Sequence, residues 1–137
     1  MSQGTILVAD DETHILNVVS IKLQNAGFAV ITAEDGADAY AQAVTKRPDL
    51  IISDYQMPRL SGLELACKLW RDPMTSDIPI MLLTARGFDL PEKEKNISNI
   101  RCVLAKPFSP RQILARVNEL LAEGRELRLL AARSSRE

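Results

Sequence analysis

The chain has 137 residues, 46% of them apolar and 26% charged, which suits one folded domain with a filled core and leaves no room for a second. With 17 basic and 18 acidic residues the formal charge is -1, so there is no global field to grip nucleic acid or an anionic membrane, and direct DNA binding is not expected. No apolar run approaches the roughly 18 residues of a membrane span. The start, MSQGTILVADDE, has neither the basic flank nor the cleavage site of a secretory leader, so a cytoplasmic protein is expected.

Short, nearly continuous apolar runs alternate with amphipathic stretches. Thr5 to Ala9 reads as a first strand, ended by Asp10 and Asp11, and Glu12 to Asn25 as a helix stopped by Gly27 in a left-handed conformation. Ala29 to Thr32 is a second strand and Gly36 to Lys46 a second helix. Leu50 to Ser53, ended by Asp54, precedes a third helix from Gly62 to Trp70. Pro79 to Leu83, ended by Thr84, leads into GFDLPEKEKNISN, where a proline and few apolar residues predict a short, weakly anchored fourth helix around Pro91 to Ser98. Cys102 to Ala105 is the fifth strand, followed by Lys106, Pro107 and Phe108. Ser109 and Pro110 then supply an N-cap and a first-turn proline for a last helix, whose apolar face holds Ile113, Leu114, Val117, Leu120 and Leu121. Continuous apolarity implies strands covered on both faces, so the order reads as a (βα)₅ fold around a parallel sheet. A boundary is expected near residue 123, with 124–137 either extending the last helix or forming a loose tail.

In open parallel sheets the reactive groups lie outside the carboxyl ends of the strands. Asp10, Asp11, Asp54, Thr84 and Lys106 would therefore converge on one rim. Carboxylates this close repel by about 4 kcal/mol per pair at ~4 Å and an effective dielectric near 20, so a cation belongs among them. All-oxygen acidic ligation with room for water and phosphate suits Mg²⁺ better than Ca²⁺, for which no twelve-residue ligand loop is present. Asp54 is then the candidate nucleophile for a phosphoryl group. Mg²⁺ would bridge Asp11, Asp54 and the phosphoryl oxygens, and Lys106 and the Thr84 hydroxyl would hold the remaining oxygens. A P-loop and a GxGxxG turn are absent, and Asp10-Asp11-Glu12 does not follow the DxDx[TV] pattern of haloacid-dehalogenase-like phosphatases.

LVADDE, IISDYQMPRLSGLEL, IMLLTA and VLAKPF together resemble the receiver domain of bacterial two-component response regulators, over roughly residues 4 to 122. The most specific part is DxxMPxxxG, from Asp54 through Met57 and Pro58 to Gly62. The resemblance implies a doubly wound, flavodoxin-like α/β fold with a five-stranded parallel sheet of order 2-1-3-4-5, the order that general rules give for this family. It implies that Asp54 accepts phosphate from a histidine kinase or phosphotransfer protein. Asp11 would ligate Mg²⁺ directly, Asp10 partly through water, and Gln56 through its backbone carbonyl. It further implies an output surface, and a possible homodimer, formed by the fourth helix, fifth strand and fifth helix, with no enzymatic activity beyond the domain's own phosphorylation and dephosphorylation.

One position departs from the family pattern. Val103 stands where many receivers carry an aromatic residue, so switching is expected to run through Thr84 and the 87–99 segment instead. Arg86 and Gln56 are expected to affect water access to the site. Cys67 and Cys102 lie in apolar surroundings and are expected as buried reduced thiols. His14, the only histidine, is expected at the surface, and Trp70 as packing with use as a fluorescence probe. The sequon at Asn96 carries no meaning without secretion. The reading is a single-domain regulator that signals through a protein partner. The alternatives are a receiver module of a longer regulator with a DNA-binding or enzymatic output domain, or a phosphorylation-independent interaction module.

Overall fold

The apolar runs form β1 (Thr5–Ala9), β2 (Ala29–Ala33), β3 (Leu50–Asp54), β4 (Ile80–Thr84) and β5 (Ile100–Ala105). The amphipathic stretches form α1 (Thr13–Asn25), α2 (Gly36–Lys46), α3 (Gly62–Arg71) and a long α4 (Pro110–Ser134). The structure is a computed structural model that describes residues 4–85 and 99–134. The helix expected around Pro91 to Ser98, Arg86 and the Asn96 sequon lie outside the described residues.

The strands pair in parallel in the order β2-β1-β3-β4-β5. Because side chains alternate across a sheet, the same runs feed two cores. Ile6, Val8, Leu50, Ile52, Met81 and Leu83 pack with α1 and α4, through residues such as Leu16, Val19, Ile113 and Val117. Leu7, Ala9, Ile51, Ile80 and Leu82 pack with α2 and α3, through Ala39, Ala43, Leu65 and Leu69. Helices thus cover both faces, as expected. The expectation that all five strands are covered on both faces needs correction: β1, β3 and β4 are buried, whereas β2 and β5 are half-exposed. Both are edge strands of the sheet.

Helix ends follow local chemistry. Asp35 caps α2 by accepting from Asp38 N–H, and Ser61 and Glu64 form a reciprocal capping box at α3. Ser109 and Gln112 satisfy each other's backbone N–H groups at the start of α4 (2.8 and 3.2 Å). Gly27 (φ 99°) takes the left-handed turn after α1. Beyond α3, the buried Thr75 hydroxyl donates to the Leu69 carbonyl at 2.8 Å, satisfying one of the helix's orphan acceptors. The last helix runs without a break past Gly124 and exposes Leu127, Leu129 and Leu130. Neither cysteine forms a disulfide, and both are half-buried rather than buried. His14 is exposed, as is Trp70 (42%). Among the described residues no helix is long and apolar enough to cross a membrane.

Candidate functional site

Three backbone bonds carry the strand ladder one step past the strand ends. Asp10 N–H donates to Ala33 O (3.1 Å), Tyr55 N–H to Leu83 O (2.7 Å) and Lys106 N–H to Thr84 O (2.7 Å). Since Ala9 is in register with Ser53, the next residues, Asp10 and Asp54, fall side by side on the carboxyl edge. Thr84, in register with Ala105, ends β4 on the same edge. Asp10, Asp54 and Thr84 are all buried.

The loop from β3 to α3 explains the spacing of the DxxMPxxxG motif. Met57 packs its side chain on the α2–α3 core together with Tyr55 and Leu60. The Pro58 carbonyl accepts from Leu60 N–H (2.8 Å) and Gly36 N–H (3.4 Å), fastening the loop to the start of α2. Gly36 has to be glycine there, since a Cβ would lie 2.0 Å from Leu60 O. Gly62 N–H then bonds to Tyr55 O (2.9 Å), bringing the loop back onto the end of β3. Ser53, buried, donates its hydroxyl to Asp54 O at 3.0 Å.

Lys106 reaches into this edge from β5. Its Nζ lies 3.3 Å from Asp54 Oδ1, 3.5 Å from Asp10 Oδ2 and 3.5 Å from Glu12 Oε1. Asp10 Oδ1 accepts from Glu12 N–H at 2.9 Å, while its buried Oδ2 accepts no hydrogen bond among the described residues and lies 3.5 Å from the Lys106 ammonium. Asp10, Asp11 and Glu12 offer oxygens within 4.8 Å of one another, an all-carboxylate set suited to a hard divalent cation. Asp11 and Gln56 are exposed at the mouth.

Burial raises the Asp10 carboxyl from 3.8 to about 6, with Asp54 and Glu12 adding to the rise and the Glu12 N–H and Lys106 opposing it. Burial also raises Asp54, against the pull of Lys106 and with the push of Asp11. For Lys106 burial acts downward, but Asp10, Asp54 and Glu12 outweigh it and the ammonium is held above its ordinary value.

A prediction for the metal-free protein follows from the sign of the Asp10 shift. A carboxyl raised on folding favours the fold below its unfolded value of 3.8, and that contribution is lost as pH rises through about 6. Asp10→Asn keeps an acceptor for Glu12 N–H and removes the titration. Without divalent cations the variant is therefore expected to unfold at a higher temperature than the parent, with the gap widening as pH rises from 3.8 through about 6. Calorimetric scans across that window check it, and a constant gap would contradict the assignment.

The expected site residues Asp10, Asp54 and Lys106 are thus in mutual reach, with Asp11 close enough to act on Asp54 and Thr84 at the adjoining strand end. The sequence reading missed Glu12, taken only as the start of a helix; no sequence signal tied it to Lys106, 94 positions away. Trp70 lies eight residues beyond Gly62 on α3, about 12 Å along the helix axis. It stands at the end of that helix remote from the rim, so calorimetry is the better monitor of this site. Val103 is 42% exposed on β5, and the segment expected to switch lies outside the described residues apart from Asn99.

A parallel 2-1-3-4-5 sheet with carboxylates at the ends of two central strands and a lysine from the edge strand defines the receiver class of signalling domain. The chain belongs to the response regulator receiver domain family, whose model matches residues 6–118. It is 40% identical over 121 residues to the phosphate regulon transcriptional regulatory protein PhoB of Pseudomonas aeruginosa, covering 85% of this chain and 51% of that protein. It is 40% identical over 116 residues to the DNA-binding dual master transcriptional regulator RpaA of Synechocystis, covering 85% and 48%. Among solved structures it is similar to the chemotaxis response regulator CheY4 of Vibrio cholerae, with a TM-score of 0.78 and 34% identity over 87% of this chain and 98% of that one. The chain spans about half the length of the curated relatives it matches.

Proposed function

We propose that Asp54 accepts a phosphoryl group from a histidine kinase or phosphotransfer protein, with Mg²⁺, and that the domain passes this signal to a protein partner. The observation that carries the reading is the pairing of a buried Asp54 with the Lys106 ammonium at 3.3 Å, on an edge that also holds Asp10, Asp11 and Thr84. An Asp54 carboxylate oxygen attacks phosphorus, the bond to the donor's nitrogen or oxygen breaks, and the leaving group keeps the electron pair. Lys106 and the Thr84 hydroxyl stand to take up the phosphoryl oxygens by charge-assisted hydrogen bonds. The clustered carboxylates, with Asp10 Oδ2 accepting no hydrogen bond among the described residues, fit a hard cation. Asp10, Asp11, Asp54 and the Gln56 carbonyl would hold Mg²⁺, which when bound neutralises charge on the nucleophile and the phosphoryl oxygens.

The expected result of a calorimetric Mg²⁺ titration is a single site on the parent chain, weakened at least about tenfold in Asp11→Ala, in keeping with the loss of a charged ligand. An unchanged affinity in Asp11→Ala would count against this ligand set.

A second reading is supported by the lengths and names of the relatives. PhoB and RpaA are transcriptional regulators about twice the length matched here, so the chain also fits the receiver module of a longer regulator with a DNA-binding or enzymatic output. On this reading residues 1–123 are the receiver and 124–137 lead towards the output. The open reading frame beyond Glu137 discriminates between the two.

A further inference from the structure

Glu12 is not among the residues assigned above to hold Mg²⁺ or the phosphoryl group, although its oxygens neighbour those of Asp10 and Asp11. Glu12 stands at the cap position of α1, and its side chain, 60% exposed, reaches the ammonium of Lys106 at 3.5 Å. The same Nζ lies 3.5 Å from Asp10 and 3.3 Å from Asp54. An ammonium committed to one carboxylate sits about 2.7–2.9 Å from it. Three longer and nearly equal distances describe a cation shared among three partners. Two of those partners are buried, and Glu12 alone is on the solvent side.

We propose that Glu12 is a positioning residue for Lys106, a solvent-side anchor that holds the ammonium towards the mouth of the site in competition with Asp54 and the phosphoryl group that Asp54 receives. The inference rests on the reading of Asp54 as phosphoacceptor. For Nζ to close on phosphoryl oxygens, its contact with Glu12 has to stretch or break, so the anchor opposes the step that Lys106 assists. Glu12 can be altered without disturbing the fold. Its side chain is exposed, and the bond that ties this position to Asp10 comes from its backbone N–H, which any substitution but proline retains.

The rival role for Glu12 is metal ligation, since its oxygens lie within 4.8 Å of those of Asp10 and Asp11. Arm length and charge separate the two. Glu12→Gln keeps the length and removes the charge, whereas Glu12→Asp keeps the charge near the cation and withdraws it from Lys106.

The test measures the rate of phosphorylation by acetyl phosphate at saturating Mg²⁺ in the parent, Glu12→Gln and Glu12→Asp, each with Lys106 and with Lys106→Met. Both Glu12 variants are expected to react about two- to fivefold faster than the parent, the range open to one partly exposed ion pair, and to show no gain over Lys106→Met in that background. Equal rates in the Lys106 background, or the same gain with Lys106→Met, would overturn the proposal. So would a tenfold or greater loss of Mg²⁺ affinity in both variants, which would make Glu12 a ligand instead. If the parent takes no phosphoryl group, the reading of Asp54 fails, and the anchor is judged separately by nitrogen-15 NMR of the Lys106 ammonium. An unchanged Lys106 resonance between the parent and Glu12→Asp would then refute it.

Discussion

Gly62→Ala is expected to lower stability by about 1–3 kcal/mol, the usual cost of forcing an added methyl into a packed region. A Cβ at this position would lie 2.4 Å from the backbone oxygen of Asp54, 3.0 Å from Leu82 Cδ2 and 3.1 Å from Ser53 Oγ. The leucine methyl can turn aside, but the Asp54 carbonyl is the end of a buried central strand. Relief therefore requires the β3–α3 loop to lift, which breaks the Gly62 N–H bond to Tyr55 O and moves the candidate nucleophile. Gly124→Ala is the control, because a Cβ there meets nothing within 4 Å and the position is inside α4. That substitution is expected to stabilise by up to about 1 kcal/mol through helix propensity. Urea denaturation of both variants measures the contrast, and a Gly62→Ala chain as stable as the parent would contradict the close approach.

Lys106→Met is expected to destabilise the metal-free chain by about 1–3 kcal/mol at a pH near 8, less than the ~3–5 kcal/mol of a fully buried pair because the lysine keeps some contact with water. Its side chain is 17% exposed, against 0% for Asp10 and 9% for Asp54, so removing the ammonium strands two buried carboxylates. Both carboxyls are already raised by burial, and both lose a counter-charge that holds them down. They take up protons more readily in the variant, so its deficit should shrink as pH falls towards about 5. Saturating Mg²⁺ should shrink it as well, by supplying positive charge to the same oxygens. Equal stability of parent and variant at the higher pH would show that Lys106 is not the counter-ion of this site.

The parts of the fold legible in the sequence were those set by local pattern. The runs ending at Ala9, Ser53 and Leu83 lie in central strands, and their continuous apolarity reports burial on both faces. The residues just past those runs are the ones that the sheet gathers at its edge. What local pattern does not carry is the lateral order of the strands. Ala29–Ala33 and Ile100–Ala105 also read as strands, yet they stand at the two edges of the sheet and are half-exposed. Gly36 read simply as the start of a helix, although its lack of a side chain is required by the Leu60 carbonyl from another loop. Glu12 was unreadable as a partner of Lys106 for the same reason, since the contact exists only once β1 and β5 share one edge. Half-burial of Cys67 and Cys102 likewise depends on packing that flanking residues do not disclose.

The central claim is that Asp54 is the phosphoacceptor, and intact-mass spectrometry after exposure to acetyl phosphate and Mg²⁺ tests it most directly. The parent should gain the mass of one phosphoryl group, removable by hydroxylamine as an acyl phosphate is, and lose the gain when the cation is chelated. Asp54→Asn should gain nothing under the same conditions. A hydroxylamine-stable adduct on Ser53 or Ser61, or an undiminished mass gain in Asp54→Asn, would contradict the account.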